Sequence, residues 1–292
     1  MDKNQIYEKV QRAYSAAVKG NGSDYGRKVA VAFGYSEQEL ASIPDGANLG
    51  LSCGNPLSLA KLREGEIVID LGSGAGFDVF LAAKKVGAHG RAIGVDMNKD
   101  MLERAERNKE RVQSNNASFV ESRITKVALP DAIADCIISN CVVNLVPEEE
   151  KQLVFNEMFR LLKTGGRVAI SDILMRKELS QELKRDVALY VGCIAGASEV
   201  KQYEDYLHTA GFDDIRIVDA HNDLNVYKSK GAETSSQCCG TDAKSPCREK
   251  SSPGCDNQGS EQNDAFEASR NDFAALDFNE WAGSFKIYAI KA

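Results

Sequence analysis

Three cysteines far apart in the chain, Cys53, Cys141 and Cys193, and one glycine-rich run, Val68-Ile69-Asp70-Leu71-Gly72-Ser73-Gly74-Ala75-Gly76, carry the residue types best suited to chemistry. Glycines directly after an apolar strand let backbone approach a bulky ligand without Cβ collisions. Gly72, Gly74 and Gly76 follow G-x-G-x-G, whereas a dinucleotide turn reads G-x-G-x-x-G. The spacing therefore favours S-adenosylmethionine over NAD. Asp70, at the carboxyl end of the strand, is placed to meet the ammonium group of such a ligand. Asp96 lies 20 residues beyond Gly76, where a carboxylate accepts hydrogen bonds from ribose hydroxyls, and Met97 offers apolar cover for adenine.

The thiols are read against that turn. Cys141 follows a predicted strand immediately, at the carboxyl edge where α/β sheets bind ligands. Cys53 lies in a loop leading into the first strand. Cys193 sits in Gly192-Cys193-Ile194-Ala195-Gly196-Ala197, a small-residue stretch that allows close approach. From the residues alone, a converging set and an incidental one are equally open. Cys136, inside a strand beside Ile137 and Ile138, reads as a small buried hydrophobe. There is no C-x-x-C pair, and His89, His208 and His221 fall outside these segments, so no structural metal is expected. Methyl transfer to oxygen generally calls for a general base. A trivalent arsenic held by soft thiolates has its own lone pair and needs none. Lowered thiol pKa values would favour such ligands.

The elements that must position these groups follow from periodicity. Ile6, Val10, Tyr14 and Val18 recur at four-residue steps and predict an opening helix ended by Gly20 and Gly22. Ser36 and Glu39 are spaced as a capping box. From residue 66 strands and helices alternate, the pattern of a mostly parallel sheet with helices on both faces. Strands are predicted at 67–71, 91–96, 118–121, 135–139, 167–172 and 215–218. Helices are predicted at 77–86, after the cap Asn98, at 148–162 with a stop at Gly165-Gly166, around 181–191, and at 200–210 with Ser198 as N-cap. A final strand at 285–290 is expected to pair with the sixth. Residues 229–263, rich in Ser, Gly, Lys, Glu and Cys, bury too little apolar surface to offset ordering entropy and are expected to be a mobile insert. The division is thus 1–46 helical, 47–228 core with substrate-side helices at about 174–211, 229–263 insert, and 264–292 ending in a core strand.

Composition narrows the classes. The chain has 292 residues, 36 basic and 43 acidic, for a net charge of -7, which argues against nucleic acid or an anionic membrane surface as partner. No stretch approaches the ~18 consecutive apolar residues of a membrane helix, and Met1-Asp2-Lys3-Asn4-Gln5 does not begin a signal peptide. A cytoplasmic protein is expected, with its eight cysteines as reduced thiols.

With these residues in view, the chain resembles the arsenite S-adenosylmethionine methyltransferases. The likeness runs from about Leu49 to Val218. It rests on Ser52-Cys53-Gly54-Asn55-Pro56, Asp70 through Asp78, Gly94-Val95-Asp96-Met97, Ser139-Asn140-Cys141-Val142-Val143-Asn144-Leu145 and the run around Cys193. The resemblance implies a class I methyltransferase fold, Rossmann-like, with a smaller substrate-side region. It implies that Cys53, Cys141 and Cys193 bind arsenic(III), delivered as arsenite or its thiol adducts. Asp70, Gly72, Ser73, Gly74, Gly76, Asp96, Met97, Ile124 and Asn140 would contact S-adenosylmethionine, with Ile124 on adenine. A thiol reductant, glutathione or thioredoxin, would serve as co-substrate, and arsenic detoxification would be the role. Some members carry a further cysteine before the C-G-N-P loop; none occurs between Met1 and Ser52 here. Members of the family often carry a vicinal cysteine pair near the C-terminus, matched by Cys238-Cys239; with Cys247 and Cys255 in the insert these would capture arsenite, and a dispensable tail is the equal alternative. Two alternatives stand beside this reading: a methyltransferase of an organic acceptor such as a quinone or sterol, and a metalloid-binding protein without turnover.

Overall fold

The computed structural model describes residues 2–18, 24–178, 193–194, 196–231 and 277–292. Seven strands form one sheet: β1 (Ile67–Leu71), β2 (Arg91–Asp96), β3 (Ala117–Glu121), β4 (Ala134–Asn140), β5 (Leu162–Met175), β6 (Asp213–Asp219) and β7 (Ala282–Ile290), in the order β3-β2-β1-β4-β5-β7-β6. The first five run parallel. β7 is antiparallel to both β5 and β6 and lies between them. The expected pairing of the last strand with the sixth is present, and β7 also joins β6 to the rest of the sheet.

Helices cover both faces, as the apolar strands require. On one side α5 (Phe77–Val86) packs Val79, Phe80, Ala82 and Ala83 with Val68, Ile138 and Ala169. On the other, α7 (Lys151–Leu161) sets Val154, Phe155 and Met158 against Ile69, Ile137 and Ile170. Before the sheet come α1 (Lys3–Val18), α2 (Asp24–Ala32), α3 (Glu37–Ser42) and α4 (Leu57–Ala60). α3 carries the predicted capping box, with Ser36 Oγ accepting from Glu39 N–H and Glu39 Oε2 from Ser36 N–H. Asn98 caps α6 (Lys99–Val112) through the N–H of Met101. α8 (Val200–Ala210) and α9 (Phe278–Trp281) complete the described α-helices.

Three expectations need correction. The helix predicted at 148–162 is a 3-10 turn, Glu148–Glu150, followed by α7; Leu162 turns extended (ψ 142°) and starts β5 opposite Ala134, so the glycines fall inside the strand rather than before it. The N-cap of α8 is Glu199, boxed with Gln202, because Ser198 is buried and accepts a hydrogen bond from Lys151. A 3-10 helix, Leu224–Gly231, runs three residues into the stretch expected to be mobile. The remainder of that stretch, the helix expected around 181–191, and Gly20 and Gly22 lie outside the described residues.

Candidate active site

Strand order reverses between β1 and β4, and the crevice beyond the carboxyl ends of strands at such a point is where open α/β sheets bind ligands. The glycine turn leaves β1 there. Gly72 and Ser73 N–H groups both donate to Val95 O, at 2.8 and 3.1 Å, tying the turn to β2. Gly72 has φ +76°, and a Cβ on it would lie 2.5 Å from the Val142 side chain that follows β4. Gly76 (φ +91°) starts α5 and faces Phe80 and Phe119. Its lack of a side chain serves packing, and it does not line the cleft.

A cleft opens at this edge of the sheet. Of the expected cofactor contacts, Asp70, Gly72, Ser73, Gly74, Asp96 and Met97 line it, as do Ile124 and Asn140. Asp96 has a second duty unseen in the sequence: Oδ2 accepts from Gly74 N–H at 2.9 Å and Oδ1 from Asn98 N–H at 2.8 Å, so one carboxylate staples two turns. Asp78 also faces the cleft. Burial pushes the carboxyls of Asp70 and Asp96 up, the charges of Asp78 and Asp96 adding to the rise at Asp70. Burial raises Asp78 to about 6, against the hydrogen bonds it accepts from Asn140 and Tyr35. Three desolvated carboxylates around one cleft are electrostatically complementary to a cationic ligand.

Asn140 fastens the cysteine loop to this cleft. Its Nδ2 donates to Gly54 O at 2.9 Å and Asp78 Oδ2 at 3.0 Å, and its Oδ1 accepts from Cys53 N–H at 3.2 Å. Ser284 on β7 secures the same loop from the far side by donating to Cys53 O at 2.6 Å. A Cβ on Gly54 would meet Ser171 at 2.5 Å, so the loop lies flat on β5.

The three cysteines come together. Cys141 lines the cleft; Cys53 and Cys193 lie behind it, with Cys53 at 0% and Cys193 at 4% exposure. Cys193 Sγ donates to Cys141 O at 3.0 Å. Cys141 (φ +60°) and Cys193 (φ +65°) both adopt the left-handed conformation, which costs a non-glycine residue on the order of 1–3 kcal/mol and persists where surrounding structure enforces it. Cys53 and Cys141 are joined as a disulfide, Cα atoms 5.9 Å apart, in contrast to the reduced thiols expected from composition. Composition speaks only to the surroundings of the protein, whereas this spacing lies within the range where two thiols bond. Nor is a lowered thiol pKa found at Cys193: burial and the nearby Asp172 push it up. Cys136 is fully buried in β4 and raised by burial to about 12, as a structural thiol should be.

Sequence reasoning missed the roof of the cleft. Tyr7, Val10, Gln11 and Tyr14 of α1 line it. Helical periodicity identified the apolar face of α1 but not its partner. The Tyr14 hydroxyl reaches Cys193 Sγ at 4.0 Å, linking roof and thiols. Tyr7 donates to Glu150 at 2.7 Å beneath the Arg123 guanidinium, 4.3 Å above its ring, and Lys3 pairs with Glu150 at 2.9 Å.

Comparison with known proteins fits this geometry. A family model described as a methyltransferase domain matches residues 62–211. An arsenite methyltransferase from Halobacterium salinarum is 43% identical over 206 residues, 66% of this chain and 52% of that protein. A ubiquinone/menaquinone biosynthesis C-methyltransferase from Yersinia enterocolitica is 33% identical over 177 residues, 59% of this chain and 67% of that protein. An arsenic(III) S-adenosylmethionine methyltransferase from Chlamydomonas reinhardtii superposes with a TM-score of 0.53 at 23% identity, covering 90% of this chain and 73% of that one, a likeness of fold alone. The chain spans about half the length of the first curated relatives it matches. The mostly parallel sheet with helices on both faces is the class I, Rossmann-like fold expected.

Proposed function

Since the chain belongs to the methyltransferase-domain family, we propose that it transfers methyl groups from S-adenosylmethionine to thiol-bound trivalent arsenic. One observation carries the reading: Cys141 forms part of the cleft wall while Cys53 and Cys193 lie directly against it. The names of the Halobacterium relative and of its namesake from Aquipseudomonas alcaligenes point the same way.

The donor set suits the cofactor. Asp70 and Asp78 present negative charge to its ammonium and sulfonium groups, Asp96 has lone pairs left for ribose hydroxyls, and Met97 and Ile124 offer apolar surfaces to adenine. When bound, S-adenosylmethionine supplies an electrophilic methyl on a sulfonium. The chain contributes position. Asn140 and Ser284 hold the Cys53 loop, enforced backbone turns hold Cys141 and Cys193, and orientation of this kind is worth up to ~7–11 kcal/mol of barrier. Loading the acceptor requires the Cys53–Cys141 bond to be opened by a thiol reductant such as glutathione or reduced thioredoxin. The same reductant class would return pentavalent products to the trivalent state. No described helix is long and apolar enough to cross a membrane; a cytoplasmic role in arsenic detoxification belongs to the proposal.

The test is incubation with methyl-labelled S-adenosylmethionine, arsenite and glutathione, with speciation of products. Labelled arsenicals are expected from the wild type and none from Cys141→Ser or Cys193→Ser. Retained arsenite methylation in either variant sinks the reading. The Yersinia relative supports a second reading, C-methylation of a quinone-type acceptor; label appearing in such an acceptor, indifferent to both substitutions, would establish it instead.

A further inference from the structure

A buried carboxylate stands among the thiols with no part in the scheme above. Asp172, on β5, is fully buried, and one of its oxygens and the Sγ atoms of Cys53 and Cys141 all lie within 4.8 Å of one another. The carboxylate is held from behind: Oδ1 accepts from Asn144 Nδ2 at 2.8 Å and Ile173 N–H at 3.1 Å, and Oδ2 from the Tyr203 hydroxyl at 3.2 Å. Carboxylates that ligate metal ions are oriented by outer hydrogen bonds of this kind. Two thiolates and one carboxylate form a three-donor set, a donor mix that zinc and its heavier relative cadmium accept. Cys193 is outside the trio, its Sγ turned to Cys141 O.

We propose that reduced Cys53 and Cys141 together with Asp172 form a binding site for a thiophilic divalent cation of the zinc and cadmium class. On the function proposed above, this site shares two sulfurs with the arsenic acceptor site, so a bound cation excludes arsenite. The site forms in two balanced steps. A phosphine reductant gives two electrons to the disulfide and becomes its oxide by taking oxygen from water, whose two protons complete the two thiols. The cation then displaces one proton from each thiol to solvent.

The test uses the full chain with Cys238, Cys239, Cys247 and Cys255 changed to serine, phosphine-reduced and titrated with Cd²⁺ by equilibrium dialysis and cadmium–thiolate ultraviolet absorption. One cation per chain is expected. Asp172→Asn should weaken it about tenfold or more, while Cys193→Ser leaves cadmium affinity unaltered and abolishes arsenite binding. Absence of cadmium–thiolate absorption, or equal cadmium affinity in Asp172→Asn, overturns the site. Should Asp172→Asn fail to fold, Tyr203→Phe removes only the Oδ2 partner; weaker cadmium binding supports the site and unchanged binding overturns it. Arsenite binding that survives Cys193→Ser, with cadmium binding as expected, counts against the arsenic reading and leaves the cation site standing.

Discussion

Replacing Lys151 by methionine probes how the Cys193 segment is held. Lys151 is 1% exposed, and its Nζ donates to Gly196 O at 2.6 Å, Ser198 Oγ at 2.7 Å and Glu148 Oε2 at 2.7 Å. The Glu148 side chain is 58% exposed, so solvent screens that ion pair and it adds little. Methionine refills the volume of the alkyl stem but leaves the buried Ser198 hydroxyl and the half-buried Gly196 carbonyl without this donor. Each such loss costs ~1–3 kcal/mol, offset in part by no longer desolvating a charge, for a net of about 2–4 kcal/mol. At a urea dependence of ~3 kcal/mol per molar, the unfolding midpoint drops by about 1 M. Because Gly196 and Ser198 follow Cys193 closely, arsenite affinity measured by calorimetry should fall while S-adenosylhomocysteine affinity holds. A midpoint within about 0.3 M of wild type, together with unaltered arsenite affinity, would refute the argument that this lysine anchors the segment.

Four further outcomes are expected. Gly72→Ala places a Cβ 2.5 Å from Val142 at φ +76°; the left-handed backbone alone costs ~1–2 kcal/mol, and S-adenosylhomocysteine affinity by calorimetry should weaken by about tenfold or more. Asp78, raised to about 6 by burial, gains its negative charge as pH climbs from 5 to 7, so affinity for the cationic cofactor should rise over that window and flatten in Asp78→Asn. The sign for the unliganded protein is opposite: a carboxyl with a folded pKa above its unfolded one stabilises fully at low pH, and that contribution is lost as pH rises from about 4 through 6, readable from thermal melts. Ser36→Ala removes the cap of α3 and should cost ~1 kcal/mol in urea titrations with no change in either ligand affinity.

Local patterns were the legible part of the sequence. Alternating apolar strands and helices, the G-x-G-x-G turn and the caps at Ser36 and Asn98 are signals contained within a few residues; the turn and both caps appear where expected, and the described strands and helices follow the predicted alternation with the boundary shifts noted at α7 and β5. Cys141 and Asp70 reached the cleft because one directly follows β4 and the other is the penultimate residue of β1, both at the topological switch. What escaped notice depends on contacts between distant segments. Lys151 reads as a solvated helix position, and only tertiary packing closes Ser198 and Gly196 over it. Asp172 reads as one more polar residue at the end of a strand, yet Asn144 and Tyr203 bury it beside two sulfurs. Ser198 lost its cap role by one residue, the ordinary error at a helix boundary, because its hydroxyl had a stronger claimant. No pattern within residues 3–18 states that Tyr7 and Tyr14 roof a ligand cleft.

β7 enters the sheet between two strands that precede it in the chain, and its Ser284 grips the backbone of Cys53, 231 residues upstream. A nascent polypeptide on the ribosome can therefore shape its nucleoside turn long before the thiol loop has its final tether. Until β7 zips in, the loop hangs from Asn140, which grips Cys53 N–H and Gly54 O, and Ser284 then adds a second hold from the opposite side.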